Sequence, residues 1–585
     1  MEGRLLYFAG RGIGLALDGL VTCRVSTMRA GEAREGFVLD AEGTVIDTVR
    51  IEFAGRTVDA SRRIDKDEFR VFCHDAKRVG EYFRLAFEGV AEIDPAFPEA
   101  RAKCECIIQQ ATADAEENVR QVSIDSAEAA ELVDITKPFF VGQHAIRQRF
   151  ETRALPDWRA PRIERPRPLG KTLLGAEHER IGVAQWGPFG SAMMPIQYAG
   201  GAGAIAAEHL ATRCGAALYD VSHMLPVIIK GRDARAFLEM CLVNSVGRLG
   251  VGRCQYQAIC LPDGTPQDDL YLNYLEHDAA TGEDAFLLVG NSGHEADYDY
   301  LKAVAAGAVG IDPEMAFKRF EGDVRFVSRL EDTEAKGKWS KPLYSVSLQG
   351  PKSREILMSA VRSGDRERIA GLRFNGLATD VRLASKDGVA VVTFTGYCGE
   401  PVGYEVYTEG EHLADLWRRL YSGGATPAGL GARDSTRQEA GLPLFGHEID
   451  GELDVPLTGG RYPKIVAFQK PFFLGRKGAL EAERRRTKRV FLLAGEGPRK
   501  VPAGWPVYDE KGALLGNVTS TSTIRPGKTD VTQGYLEEKS VRSGDRVIVT
   551  SPSRMPRAGE APEGRAFRVT TWDKAGDYDG GGGAC

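Results

Sequence analysis

The chain is short of several features whose absence excludes whole classes of protein. Its ten cysteines are scattered over 585 residues without regular spacing, which excludes a disulfide-stapled scaffold and a paired CxxC zinc site and fits a reduced compartment best. Cys104 and Cys106 form a lone CxC, read as ordinary side chains, and the nine histidines do not cluster, so no metal is expected. Long apolar runs are missing too. The patch Gly12 to Leu17 lies between Arg11 and Asp18 and is far too short for a signal-peptide core or a span of about 20 residues. The reading is a cytoplasmic protein without membrane contact. Basic charge is not in excess: 76 Lys and Arg stand against 82 Asp and Glu, for a net charge of −6. No global field is available to grip phosphate backbones, which excludes nucleic acid as the main partner.

Nucleotide and hydrolase signatures are lacking as well. Gly10, Gly12 and Gly14 do not make GxGxxG, because the last glycine position is Leu15. The two Gly-Lys-Thr triplets, at Gly170 and Gly527, carry Arg165 and Ser522 where a P-loop needs its first glycine. GxSxG, HExxH and EF-hand patterns are absent.

What is present is ordinary globular composition, 43% hydrophobic, 27% charged and 8% aromatic, in a length that implies about three to five domains. Two internal repeats organise it. Glu42-Gly-Thr-Val-Ile-Asp-Thr48 recurs as Asp263-Gly-Thr-Pro-Gln-Asp-Asp269, an offset of 221 (268 minus 47). Lys137-Pro-Phe-Phe-Val-Gly142 recurs as Lys470-Pro-Phe-Phe-Leu-Gly475, offset by 333 (470 minus 137). The N-terminal unit therefore reads as a truncated duplicate. Each copy places Glu-Gly or Asp-Gly between β-rich runs, which is hairpin chemistry. Residues 286–291 read as a buried strand, with 69–74 as its first-copy equivalent, and Glu295 to Ala306 as the helix that follows. Residues 153–170, rich in proline and arginine, read as a linker. Residues 320–341, charged and poor in large apolar side chains, read as an insertion or surface loop. Short β runs from 486 to 573 suggest a small barrel, and the glycine-rich residues 574–585 a disordered tail.

The second unit is punctuated by an ordered set of polar motifs. Tyr219-Asp-Val-Ser-His-Met224 comes first, then Gly252 to Tyr256, Asp268-Asp269-Leu270 and Asn291. Gly396-Tyr-Cys-Gly-Glu400, Gly403-Tyr-Glu405, Gly429-Leu-Gly-Ala-Arg-Asp434 and Gly446-His-Glu448 follow. With Pro195-Ile-Gln-Tyr198 ahead of them and Pro506-Val-Tyr-Asp509 behind, the chain resembles the glycine cleavage T-protein family, the folate-dependent aminomethyltransferases, over residues 171–572.

That resemblance implies an α+β fold: a three-domain ring with tetrahydrofolate in its central hole. The core would occupy 171–485 as two subdomains, closed by the barrel and preceded by an extra truncated α+β unit at 1–152. It also implies roles. Asp269 matches the catalytic carboxylate at the folate nitrogens, where it would orient N5 and manage the N10 proton. Glu405 matches the carboxylate that accepts paired hydrogen bonds from the pterin edge. Arg433 matches a cofactor position at which its fork would orient that glutamate or bind polar folate groups. Met224, Tyr256, Asn291 and Tyr397 match positions lining the cavity.

The activity implied is transfer of a methylene from an aminomethyl donor to tetrahydrofolate, the donor being a small molecule or a group on a lipoyl carrier such as H-protein. Departures fall on the donor side. Asn273 stands four residues after Asp269 where the family commonly has tyrosine, Leu225 follows Ser-His-Met, and Glu400-Pro-Val-Gly403 is one residue longer. A tetrahydrofolate-dependent O-, N- or S-demethylase is the alternative, and a non-catalytic folate-binding or assembly module the second. In the first unit Thr48 replaces the catalytic aspartate and His74 stands opposite Asn291, so that unit is expected to be structural or regulatory.

Overall fold

The computed structural model describes residues 5–59, 64–95, 98, 100–111, 119–150, 170–198, 200–201, 203–312, 318–330, 337–385, 387–495, 501–522, 531–557 and 560–570. The expected linker, apart from Gly170, and the expected tail lie outside these residues. Three five- or six-stranded sheets and a closed six-stranded barrel make up the frame, so the α+β fold with a C-terminal barrel is as expected.

The first two sheets have the same topology. In the N-terminal unit the strand order is Ala33–Leu39, Val45–Asp59, Ile64–Cys73, Leu5–Gly10, Cys106–Ala111. In the second unit it is Cys254–Cys260, Pro266–Asp278, Glu283–Gly290, Leu225–Gly231, Arg325–Val327. In both, a hairpin leads into a third strand that pairs with the first, all neighbours antiparallel. Helices match too: Ile13–Asp18 with Ala234–Cys241, and Ala76–Phe87 with Glu295–Ala305.

The two repeated sequence motifs meet in space, which explains their joint survival. Gly43 (φ 83°) and Gly264 (φ 87°) sit in the left-handed region at the hairpin turns. A Cβ on Gly43 would strike Ala145 and Ile146, and one on Gly264 would strike the backbone of Gly478 and Ala479, the helices that follow each Lys-Pro-Phe-Phe run. The lysines of those runs are buried and do one job twice. Lys137 Nζ donates to the carbonyls of Asp18, Val21 and Cys23; Lys470 Nζ donates to those of Glu239, Leu242 and Asn244. Each pair of carbonyls is again 221 residues apart (239 minus 18, 242 minus 21, 244 minus 23). Burial lowers the pKa of both ammonium groups, and the nearby Asp18 or Glu239 opposes it.

The two units pack against each other through a buried charge network. Arg56 of the first donates to Asp284 of the second at 3.1 Å and to its own Asp65 at 2.9 Å, and its guanidinium lies 5.7 Å from the Tyr274 ring centre. Lys318 Nζ donates to the Pro138 carbonyl, and Arg101 N to that of Gln469.

The third sheet, ordered Leu377–Arg382, Val389–Thr393, Gly403–Glu409, Leu343–Gln349, Ala217–Asp220, Thr426–Pro427, packs its apolar face on helices Ser353–Ala360 and Gly410–Ser422, with Trp417 fully buried. Its other face meets the second sheet through Leu275, Leu287, Val391 and Tyr407. The barrel, Lys488–Gly495 through Arg565–Thr570, closes around Val507, Val518, Leu536 and Phe567.

One expectation is overturned here. The described part of 320–341 is no exposed insertion: Arg325–Val327 adds an edge strand to Leu225–Gly231, and Phe320 and Val327 are buried. Arg329 donates to the carbonyls of Ser222, His223 and Met224. A three-residue strand leaves too little periodicity to read, and its charged neighbours suggested solvent. Among the described residues no helix is long and apolar enough to cross a membrane.

Candidate active site

The second sheet, the third sheet and the segment leading into the barrel enclose a cavity of about 1760 Å³. It exceeds the ~300–1,000 Å³ of ordinary ligand sites, which leaves room for two reactants. Asp269, Met224, Tyr256, Asn291, Tyr397, Glu405 and Arg433 all line it.

Strand parity places the carboxylate. Along Pro266–Asp278, Asp268, Leu270, Leu272 and Tyr274 point toward the helices of their own unit, whereas Asp269 and Tyr271 face the cavity. Asp269 is only 9% exposed. Its Oδ2 accepts from Tyr256 Oη at 2.5 Å, and its Oδ1 from Asn291 Nδ2 at 2.8 Å. Burial raises the Asp269 pKa, and the hydrogen bonds from Tyr256 and Asn291 restrain the rise. A carboxylate held by two donors inside an apolar wall can orient an amine and exchange a proton with it.

Met224 is delivered by a turn pinned from two sides. Asp220 Oδ1 accepts from Ser222 N and Oγ, while its Oδ2 accepts from Thr172 and pairs with His178. Burial would raise the Asp220 carboxyl, but the His178 hydrogen bond and charge outweigh it and hold the pKa at about 2. Arg329 clamps the same turn, and no signal in the sequence pointed to it.

Glu405 stands on Gly403–Glu409, its Oε2 accepting from Tyr407 Oη at 2.9 Å and Thr395 Oγ1 at 3.3 Å. Both contacts fall on one oxygen, which leaves the carboxylate able to accept from a ligand. Arg433 does not orient Glu405, contrary to one expectation. Its guanidinium lies 4.9 Å from the Tyr397 ring centre, a cation–π contact, and its Nη1 is buried in the cavity wall without a hydrogen-bond partner among the described residues. A buried orphan donor and an open carboxylate lining one cavity suit a heterocycle with both acceptors and donors, as tetrahydrofolate has. Tyr397 Oη donates to the Pro443 carbonyl, fixing the ring.

Asp268 points to the opposite face of the strand, which packs under a helix. Asp268 is 0% exposed and accepts from Asn291 N and Nδ2. His294 and Asp297 complete a buried group behind it. Tyr271, whose hydroxyl donates to Asn375 Oδ1 at 2.5 Å, and Tyr462 add aromatic wall not picked out from the sequence.

The first unit carries the same scaffold without the chemistry. Asp47 accepts from His74 N and Asp75 N and holds His74 Nδ1 at 2.8 Å, as Asp268 holds Asn291, and Thr48 is buried in the place of Asp269. Thr48→Ala should leave transfer rates within about twofold of wild type, since a hydroxyl supplies no carboxylate charge. Steady-state assays of the full chain check this, and a large loss in a folded variant would relocate the active site.

The geometry defines a half-open cavity with one buried carboxylate, Asp269, in its wall. The profile of the GCVT N-terminal domain matches residues 176–460. An aminomethyltransferase of Prosthecochloris aestuarii is 33% identical over 382 residues, 63% of this chain and 93% of the relative. One of Rubrobacter xylanophilus is 35% identical over 362 residues, 61% and 84% of the two chains. The crystal structure of glycine cleavage system aminomethyltransferase T from Bartonella henselae shares the fold at a TM-score of 0.54 and 24% identity, covering 69% of this chain and 97% of that one. The chain belongs to the aminomethyltransferase family and is an enzyme, a tetrahydrofolate-dependent transferase.

Proposed function

We propose that the protein transfers a methylene group from an aminomethyl donor to tetrahydrofolate, with release of ammonia and of the donor's thiol, which take up the N5 and N10 protons, and with Asp269 as its catalytic carboxylate. The observation that carries this reading is the buried Asp269, held by Tyr256 and Asn291 in the wall of a cavity that also exposes Glu405 and the orphan Arg433 Nη1. Tetrahydrofolate supplies the attacking N5. Glu405 accepts from the pterin edge, Arg433 donates to a pterin acceptor, and Met224 and Tyr397 wall the ring. Asp269 orients the reacting amine and takes or returns a proton at the folate nitrogens, while the surrounding protein excludes water. Asp47 and Thr48 take no part; the first unit buttresses the catalytic sheet.

The donor is an aminomethyl group on a lipoyl carrier. The apolar rim favours this, because Phe374 (61% exposed), Leu210 (42%) and Tyr462 (39%) line the cavity mouth and would meet a hydrocarbon arm. A cytoplasmic setting suits the eight described free thiols.

Calorimetry should find one reduced-folate site per chain, and Glu405→Ala should weaken binding by about 1–3 kcal/mol by leaving a pterin edge unpaired. Absence of binding, or an unaltered affinity in the variant, would overturn the folate reading. Turnover with aminomethylated lipoyl carrier, compared with methylated O-, N- and S-donors, separates the transferase from a demethylase.

A further inference from the structure

Behind Asp269 lies a charge cluster that no step above uses. Asp268 is 0% exposed, Asp297 5% and Asp269 9%, three carboxyl groups inside one wall of the second unit. His294, at the N-terminal end of helix Glu295–Ala305, faces all three. Its Nδ1 lies 3.3 Å from Asp268 Oδ1 and 3.6 Å from Asp297 Oδ2. Phe445 closes the other side edge-on, ring centres 5.1 Å apart, and Gln267 donates to Asp297 at 2.7 Å.

From this cluster a continuous set of contacts runs to the cavity. Asp268 takes both the backbone N–H of Asn291, at 3.0 Å, and its Nδ2, at 2.6 Å. The same Nδ2 donates to Asp269 Oδ1 at 2.8 Å. Protonation of Asp268 would leave it one carbonyl acceptor for these two donors, and the grip on Asn291 would loosen.

We propose that His294 is a positioning residue for Asp269: as an imidazolium it opposes protonation of Asp268, so that Asn291 stays anchored and presents the Asp269 carboxylate to the cavity. The inference rests on the catalytic reading of Asp269. Burial and the neighbouring Asp297 push the Asp268 carboxyl well above its ordinary range, and the His294 charge opposes that rise. The duplicated unit supplies a natural contrast. There Asp47 has Thr48 beside it, and the positions matching His294 and Asp297, at an offset of 217 (291 minus 74), are Lys77 and Gly80. Lys77 is exposed. In the first unit the histidine on the matching aspartate is His74, which stands at the Asn291 position, so the Asn291 bridge with His294 behind it accompanies the unit that carries the catalytic aspartate. Burial alone would lower the His294 pKa, but the neighbouring carboxylates of Asp297, Asp268 and Asp269 raise it to about 9. The imidazolium is therefore present through the neutral range and lost as pH rises through about 9.

The test compares His294→Asn, His294→Lys and Asp269→Asn in the full chain. His294→Asn should move the acid limb of kcat/KM upward by about one pH unit, a loss of about tenfold at pH 6. Its activity should converge on wild type above pH 9, where wild type also loses the charge, and the KM for tetrahydrofolate should stay within about twofold. His294→Lys, which restores the charge, should return the limb toward its wild-type position. An unmoved limb in folded His294→Asn overturns the proposal, because a merely structural histidine would lower Tm without moving it. A second readout needs no turnover: ¹⁵N-histidine spectra of the wild type, with the His294 signal identified by its loss in His294→Lys, should show a protonated imidazole at pH 8. A neutral one overturns the proposal. The two failures are distinguishable, since an active Asp269→Asn sinks the catalytic reading itself, whereas an inactive Asp269→Asn with an unmoved His294→Asn limb sinks only the positioning role.

Discussion

Asp269→Asn is expected to lower turnover by about 10²- to 10⁴-fold while tetrahydrofolate affinity falls far less. The amide keeps the size of the side chain and one acceptor but loses charge and basicity, the properties that general acid–base work requires. Tyr256 Oη can still donate to the remaining carbonyl oxygen, so the cavity wall should survive. Asp268→Asn is unsuitable as a tolerant control: it places a donor against Asn291 in a fully buried site and should disturb catalysis and stability together. Thr48→Ala is the appropriate control, being the matching position in the first unit. Full activity of Asp269→Asn with folate bound would remove the carboxylate from the mechanism and bring forward a binding or assembly role.

Lys470→Met should cost about 3–5 kcal/mol of stability, the range for removing one partner from a buried charged cluster. Methionine fills similar volume, but the carbonyls of Glu239, Leu242 and Asn244 lose a shared donor, and Glu239 loses the ammonium 3.4 Å from its Oε1. Lys137→Met removes the same arrangement from the first unit and should cost a similar amount. Denaturant unfolding of both variants measures the effect, and a change below about 1 kcal/mol in either would mean that other groups satisfy the carbonyls.

Much of this was legible in the chain. Turn residues between β-rich runs placed both hairpins, and the paired repeats announced a duplication whose shared strand order the structure displays. All seven residues singled out from motifs line one cavity, because motif order follows the strands that build its walls. Parity along the strand was also readable: Asp268 and Asp269 do point to opposite faces. What alternation could not convey is that both faces are covered, by helices on one side and by the cavity wall on the other. The clamp from Arg329 was hidden for a different reason, since its partners are backbone carbonyls, which carry no residue identity. Arg433 was given a carboxylate to hold, but its guanidinium lies over the Tyr397 ring instead, and only packing decides between them.

The contact between the two units has a consequence for assembly. Arg56, set among Asp65, Asp67 and Asp284, belongs to a surface that two separate polypeptides would form only at sufficient concentration, with a folded fraction that falls on dilution. Here one chain supplies both sides, and the tether fixes the effective concentration at a level independent of how much protein is present. The catalytic sheet thus carries its own partner in strict one-to-one stoichiometry.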